Sequence, residues 1–161
     1  MRGCWNWLVI VALALFAQGA WAHRYIPNDG SHLDWERALD VGDITISTVA
    51  YHTLEDGKSQ LWLRFDAEAG QTASIQIGVP FIERYEVYRP AFVLLGPDMP
   101  ALDVPFAISE GYGGMVYTTD DVAEPDVFHE EFTGATSWTF DRQEVNLPAT
   151  GRYYIESTHI S

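Results

Sequence analysis

Apolar and polar residues alternate with a period of two over most of the chain from residue 44 onward. Leu61, Leu63 and Phe65 share one face of such a segment, and the alternation recurs at 44–50 and at 73–79. A period of two is typical of β-strands, whereas a helix spaces its apolar residues by three or four. The pattern therefore predicts strands.

Further strands are indicated by short apolar or β-branched runs that end at turn residues. The continuous apolar run at 91–95 closes at Gly96 and is typical of a strand buried on both faces. Other strands are expected at 113–118, 137–147 and 152–158. Short strands at this spacing, with no long helical period, predict an all-β fold: a single antiparallel β-sandwich, jelly-roll-like or Greek-key, of about 7–9 strands.

The first 22 residues are expected to be a signal peptide and not part of the fold. Arg2 precedes an unbroken apolar run at 7–16, and Ala20-Trp21-Ala22 places small residues just before His23. The pattern predicts cleavage after Ala22 and a periplasmic or extracellular location, with no membrane insertion once the leader is removed.

The predicted mature domain spans 23–161 and begins with a polar, turn-rich arm at 23–42. Within this arm we expect either one helical turn at 35–38 or a short strand at 37–41. The glycine-rich segment 110–114 is expected to let two stretches of backbone pack closely, because it lacks the lysine of a phosphate-binding loop.

Three segments resemble parts of the bacterial pre-peptidase C-terminal type of β-sandwich. LWLRFDAEAGQTASIQIGVP is similar to that family's opening hairpin, PAFVLLGPD to its central strand and turn, and LPATGRYYIES to its tyrosine-bearing strand. The resemblance implies a secreted, non-catalytic binding or accessory domain. Such domains continue to one more strand, so we expect that strand to be missing here, supplied by a partner, or replaced by the N-terminal arm.

The charge balance narrows the expected partners. The chain has 9 Lys and Arg against 23 Asp and Glu, a net charge of −14 at pH 7. A negative field repels phosphate backbones and anionic lipids, so we expect a protein or a glycan as partner and no nucleic acid. Cys4, the only cysteine, lies in the predicted leader, which leaves the mature domain without a disulfide or a thiolate ligand.

Aromatic rings are the candidate contacts for a glycan, namely Trp62, Tyr112 and Trp138. Trp62 alternates with Leu61 and Leu63, so we expect its ring on the polar face of the strand and partly exposed. The alternative, that these rings belong to the core, stays open because aromatic residues dominate the cores of many sandwiches.

His23 is the basis of an alternative hypothesis, a copper-binding protein. If cleavage follows Ala22, the α-amine and imidazole of His23 can chelate one ion, and a second imidazole would complete three nitrogens that suit copper. The arrangement resembles the histidine brace of copper-binding β-sandwiches. The candidate third ligands are His52, His129, His32 and His159.

The acidic run at Asp120–Asp126, followed by Glu130 and Glu131, supplies oxygen ligands of the kind that Ca²⁺ prefers. Its spacing matches no known calcium loop and Pro125 interrupts it, so a solvated acidic loop is the simpler expectation. A hydrolase that uses carboxylates of this run is a third hypothesis. The chain has no nucleophile elbow of the G-x-S-x-G type, and we expect no enzymatic activity.

Overall fold

The computed structural model shows an all-β, sandwich-like fold. It describes residues 24–53, 60–104, 106, 108, 110–130 and 134–158, so the predicted signal peptide, His23 and His159 lie outside the described residues. The strands are β1 (Arg24–Ile26), β2 (Leu39–Asp40), β3 (Thr48–Ala50), β4 (Leu61–Ala67), β5 (Thr72–Ile75), β6 (Gly78–Pro80), β7 (Ala91–Pro97), β8 (Tyr112–Tyr117), β9 (Asp126–His129), β10 (Thr136–Thr139), β11 (Gln143–Asn146) and β12 (Gly151–Thr158). Two short 3₁₀ helices span Trp35–Arg37 and Glu83–Tyr85. Across these described ranges, no helix is both long and apolar enough to cross a membrane.

A five-stranded sheet, which we call the main sheet, has the order β2-β4-β12-β7-β8. Its central strand, β12, pairs antiparallel with β4 on one side and with β7 on the other. β2 pairs in parallel with β4, and β8 pairs antiparallel with β7. The strands predicted near 61–66, 91–95, 113–118 and 152–158 are therefore confirmed.

One face of the main sheet packs against a second layer, the antiparallel pair β5 and β11. Tyr153 is fully buried there: its ring stacks on Phe65 at 5.6 Å between centroids, and its hydroxyl donates to the Ala149 carbonyl. The ring fits because Gly96 has no side chain, since a Cβ there would lie 2.1 Å from the ring. The other buried members of this core are Ala67, Ala73, Phe92, Leu94, Met99, Val145, Leu147 and Ile155.

The other face of the main sheet is covered by Ala38 and by four described side chains of the segment 98–110, which connects β7 to β8: Leu102, Val104, Phe106 and Ile108. This segment can begin close to β8 because Gly113 has no side chain. A Cβ at that position would lie 2.2 Å from the carbonyl oxygens of Met99 and Pro100. The Gly114 N–H donates to the Pro100 carbonyl at 2.8 Å. The glycine-rich segment thus allows close backbone packing, as predicted.

The chain after β4 crosses to the second layer and forms no hairpin. β4 pairs with β12, whereas β5 pairs with β11, so the hairpin expected over 61–80 is wrong. The crossing occurs at Gly70, which has a φ of 85° and donates its N–H to the Leu147 carbonyl. Glycine adopts such a φ without a steric penalty, and the turn is bonded to the second layer instead of returning along β4.

Two segments predicted as single strands are each divided between two sheets. The segment 73–79 contributes to β5 and β6, and 137–147 contributes to β10 and β11. β6, β10 and β9 form a third, antiparallel sheet in the order β6-β10-β9. The alternation continues through these divisions because it reports which side chains face a core and not which sheet the backbone joins.

The predicted N-terminal arm is partly regular and contains both expected elements. The 3₁₀ turn at 35–37 is capped by Asp34, whose carboxylate accepts the Arg37 N–H at 2.9 Å, and β2 follows it. β1 pairs in parallel with β3, which is shorter than the strand predicted at 44–50.

Candidate functional site

Trp62 is buried, so the prediction of a partly exposed ring is wrong. Its side chain is 3% exposed, and its ring meets Phe106 edge-on at 5.2 Å between centroids. The alternation placed Trp62 correctly on the face opposite Phe65, but the segment 98–110 covers the face that was expected to meet solvent. A ring without an accessible face offers no stacking platform to a sugar.

The other two predicted rings lie apart. Trp138 packs with Val79 and Phe140 in the core of the third sheet, whereas Tyr112 is a half-buried residue of β8 beside Tyr154. Burial raises the pKa of the Tyr112 hydroxyl. Trp138 therefore lies apart from the rings of the main sheet, and a glycan site at Tyr112 or Trp138 stays a prediction.

Two of the three histidines with described positions, His32 and His52, contact adjacent residues of the N-terminal arm, Asp29 and Asn28, whereas His129 lies on β9. The ring Nδ1 of His52, just after β3, lies 3.1 Å from the Asn28 side-chain amide. The ring of His129 on β9 lies 3.0 Å from the Thr136 hydroxyl, and the ring of His32 contacts the Arg37 carbonyl. Because His23 lies outside the described residues, the copper site stays a prediction.

The acidic run at Asp120–Asp126 is a surface segment. Asp120, Asp121, Glu124 and Asp126 are all exposed. Among the residues with described positions, no three His, Cys, Asp or Glu side chains are grouped to hold a metal ion. The calcium hypothesis for this run likewise stays a prediction.

An acidic cleft of about 470 Å³ lies beside β2 and β4 and includes Asp40, Asp43, Asp66 and Glu68. Arginines engage two of these carboxylates. Arg152 on β12 makes two hydrogen bonds to Asp66, at 2.9 and 3.0 Å, and lowers the pKa of Asp66 mainly through them. Arg64 lies 3.4 Å from Asp40. The cleft is therefore partly charge-compensated.

β9 forms an open edge of the third sheet. All four of its residues are exposed, and β10 is its only strand partner in the described part of the chain. Val127 lies opposite Trp138 and Phe128 opposite Ser137, so the two apolar side chains point to opposite faces of the sheet. The turn to β10 closes at Gly134, whose φ of 69° suits glycine. A strand edge of this kind is a template for pairing with another chain.

Phe81 adds an exposed ring on the face of the third sheet that carries Trp138 and Val127. Its N–H donates to the carbonyl of Thr136, the residue paired with His129, so Phe81 and His129 lie in one row across the sheet. The Phe81 ring is 48% exposed and its centroid lies 4.5 Å from that of Trp138. We use the name β9 edge for the open strand edge formed by Val127, Phe128 and His129; Phe81 lies across the sheet from it, on the face that carries Val127 and His129.

Comparisons of the chain with protein families, with characterised proteins and with solved structures found no match. The case for a function therefore rests on the chemistry and geometry of the chain's own residues. The β9 edge combines exposed apolar side chains with a strand whose outer side is unpaired among the described residues.

Proposed function

We propose that this protein is an exported, non-enzymatic β-sandwich module that binds another protein by adding one extended strand of the partner to the β9 edge. The observation that carries the proposal is an exposed edge strand with apolar side chains on both of its faces. Export is supported by the signal-peptide pattern of residues 1–22, and an accessory role by the resemblance to pre-peptidase C-terminal domains.

The ladder between β9 and β10 determines which backbone groups of β9 point outward. The Glu130 N–H donates to the Ala135 carbonyl at 2.8 Å, which makes these two residues a hydrogen-bonded pair. Hydrogen-bonded and non-hydrogen-bonded pairs alternate along an antiparallel ladder. Phe128 is therefore bonded to β10, whereas Val127 and His129 direct their N–H and C=O groups away from it. An added strand would pair with these four groups.

β8, the exposed edge of the main sheet, offers a shorter open stretch. The Gly114 N–H points away from β7 and already donates to the Pro100 carbonyl. Val116 lies two residues after Gly114 in the same strand, so its N–H also points away from β7. The Val116 side chain is 41% exposed. β8 is therefore the weaker candidate, and Val116 is a matched control position.

Charge indicates a basic partner strand. Asp126 begins β9 and Glu130 follows it, while Asp120, Asp121 and Glu124 precede it on the surface. The whole chain carries a net charge of −14. An extended segment with Lys or Arg at alternate positions would place its charges near these carboxylates and its apolar residues against Val127.

The proposal is tested with a short peptide that alternates lysine and valine, using titration calorimetry. Val127→Pro removes an outward N–H and leaves the hydrogen bonds to β10 intact, so we expect roughly tenfold weaker binding from the lost hydrogen bond and the altered side chain. Val116→Pro removes the corresponding N–H on β8 and should bind like the wild type. Thermal unfolding verifies that both variants are folded.

Two results would contradict the proposal: wild-type affinity in V127P, or an equal loss of affinity in V116P. The basic-partner claim has its own control, a peptide that alternates glutamate and valine. This acidic peptide should bind more weakly than the lysine peptide, and added salt should weaken the lysine peptide by screening. Equal binding of the two peptides would overturn the charge preference.

A further inference from the structure

Three aromatic rings lie in a row across one face of the main sheet. Trp35, on the first 3₁₀ turn, meets Tyr154 on β12 edge-on, at 6.2 Å between ring centroids. The Tyr154 ring lies 6.1 Å from the ring of Tyr112 on β8, and the two ring planes are inclined by 50°. We use the name aromatic row for Trp35, Tyr154 and Tyr112. Because neighbouring rings are inclined to each other, the row is stepped and not flat.

The aromatic row is accessible to solvent beside the covered part of the same face. Trp35 is 40% exposed, whereas Tyr112 and Tyr154 are half-buried at the margin of the apolar cluster around Trp62. Neither tyrosine hydroxyl makes a hydrogen bond within the described part of the chain. A tyrosine with an apolar ring and an unbonded hydroxyl can contact a ligand through both parts of its side chain.

Three arginine–aspartate pairs adjoin the aromatic row. They are Arg37 with Asp34, Arg64 with Asp40, and Arg152 with Asp66. Asp34 precedes Trp35 in the chain, and Arg64 lies opposite Tyr154 across the ladder. Arg152 lies two residues before Tyr154 on the same face of β12 and donates two hydrogen bonds to the Asp66 carboxylate. The pairs thus place polar groups beside the rings of Trp35 and Tyr154.

The pairs add hydrogen-bonding groups beside the rings without adding net charge. The chain has 9 Lys and Arg against 23 Asp and Glu, and three of these basic residues lie in the pairs. A charged ligand would have to compete with an existing ion pair for an arginine or an aspartate. An uncharged ligand with hydroxyl groups can instead bond to the outward N–H groups and oxygens of an intact pair. Charge therefore favours a neutral, hydroxyl-rich ligand.

At the centre of the aromatic row, the backbone of the sheet is already paired. Tyr154 lies on the central strand β12, opposite Arg64 on β4 and Leu95 on β7. The backbone groups of this strand are therefore not open to an added strand, unlike those of the β9 edge. A ligand on the row is accordingly recognised by side chains, which provide ring faces and paired polar groups.

Further polar groups lie next to the row. The Nε atom of Arg64 is buried and has no hydrogen-bond partner among the described residues. The acidic cleft of about 470 Å³ shares Asp40 and Asp66 with the arginine pairs and adds the amide of Gln71 and the hydroxyl of Thr150. Apolar ring faces beside a cleft with several hydrogen-bonding groups match a sugar, which has apolar C–H faces and a rim of hydroxyl groups.

We propose that the aromatic row and the adjoining arginine–aspartate pairs form a binding site for a neutral saccharide chain. The C–H faces of successive sugar units pack on the stepped rings of Trp35, Tyr154 and Tyr112. The sugar hydroxyl groups bond to the tyrosine hydroxyls and to the outward groups of the pairs. The site lies on the main sheet, whereas the β9 edge belongs to the third sheet, so each of the two sites can be tested without the other.

The test is titration calorimetry with neutral hexasaccharides as probes, namely cellohexaose, laminarihexaose, mannohexaose and chitohexaose. At least one of them should bind to the wild type. Trp35→Ala should weaken that binding by roughly tenfold or more, because it removes the most exposed ring of the row. Phe81→Ala is the matched control, since it removes a ring that is 48% exposed on the third sheet and should bind the saccharide like the wild type.

Wild-type affinity in W35A, or an equal loss of affinity in F81A, would overturn the proposal. So would the failure of all the neutral hexasaccharides to bind, or tighter binding of the anionic hexagalacturonate. Tyr112→Phe covers the case in which W35A does not fold, because it keeps the ring and removes only the hydroxyl. It should weaken binding by a few-fold, and wild-type affinity in Y112F would then refute the site.

Discussion

β7 and β9 are both strands with apolar side chains on both faces, but β7 is buried and β9 is exposed to solvent. Six of the seven residues of β7 are buried, because the second layer covers one face of the main sheet and the segment 98–110 covers the other. All four residues of β9 are exposed, although Val127 and Phe128 are as apolar as the residues of β7. Burial of an apolar strand residue thus depends on the cover that the rest of the chain supplies.

The contrast separates residues that stabilise the fold from residues available to a partner. In β7, apolar side chains are removed from water within the chain, so their contribution belongs to the free energy of unfolding. In β9, the same kind of side chain remains in water until another molecule covers it. Mutations in β7 should therefore lower the free energy of unfolding, whereas mutations in β9 should weaken binding of a partner.

Leu94→Ala should produce the largest change in stability. Leu94 is fully buried in β7, so truncation loses transfer free energy and leaves a cavity, which together cost about 2–5 kcal/mol. Val127→Ala, the matched truncation in β9, should change the free energy of unfolding by about 0.5 kcal/mol or less. Denaturant unfolding of both variants measures this difference, and a similar cost at the two positions would contradict the contrast between the strands.

A smaller effect is expected where the main sheet itself meets solvent, at the pair formed by Asp66 on β4 and Arg152 on β12. The hydrogen bonds from Arg152 hold the pKa of Asp66 below its usual range. The pair therefore stabilises the fold above the pKa of the unfolded chain, and that stability is lost as pH falls through the lower folded-state value. Because the Asp66 side chain is 68% exposed, water screens the interaction.

Asp66→Asn should accordingly destabilise the fold by about 1 kcal/mol or less at neutral pH, with the difference disappearing at about pH 2. Denaturant unfolding at the two pH values measures this, with Asp141→Asn as a control at an exposed position. A cost of several kcal/mol, or a cost that persists in acid, would show that the pair behaves like a buried one.

The strands of the main sheet could be predicted from the sequence because local pattern is sufficient for them. The continuous apolar run of β7 indicated a strand covered on both faces, and the alternation in β4 placed Trp62 opposite Phe65. The sheet partners could not be predicted, because the same alternation runs through β5 and β6 although the chain changes sheets between them.

The candidate functional site could not be predicted from the local sequence pattern, for a related reason. The exposure of Trp62 was mispredicted because its cover is the segment 98–110, which is distant in sequence. The exposure of Val127 and Phe128 reflects the lack of a covering layer over β9 among the described residues, which alternation does not report.

The open edge of β9 is tested most directly by residue-resolved amide hydrogen exchange, with and without the peptide that alternates lysine and valine. In the free protein, the Val127 and His129 amides should exchange rapidly, and the Phe128 and Leu94 amides should be protected. Bound peptide should protect Val127 and His129 and leave Leu94 unchanged. Protection of the Val127 amide in the free protein, or no change at Val127 and His129 when the peptide binds, would contradict the account.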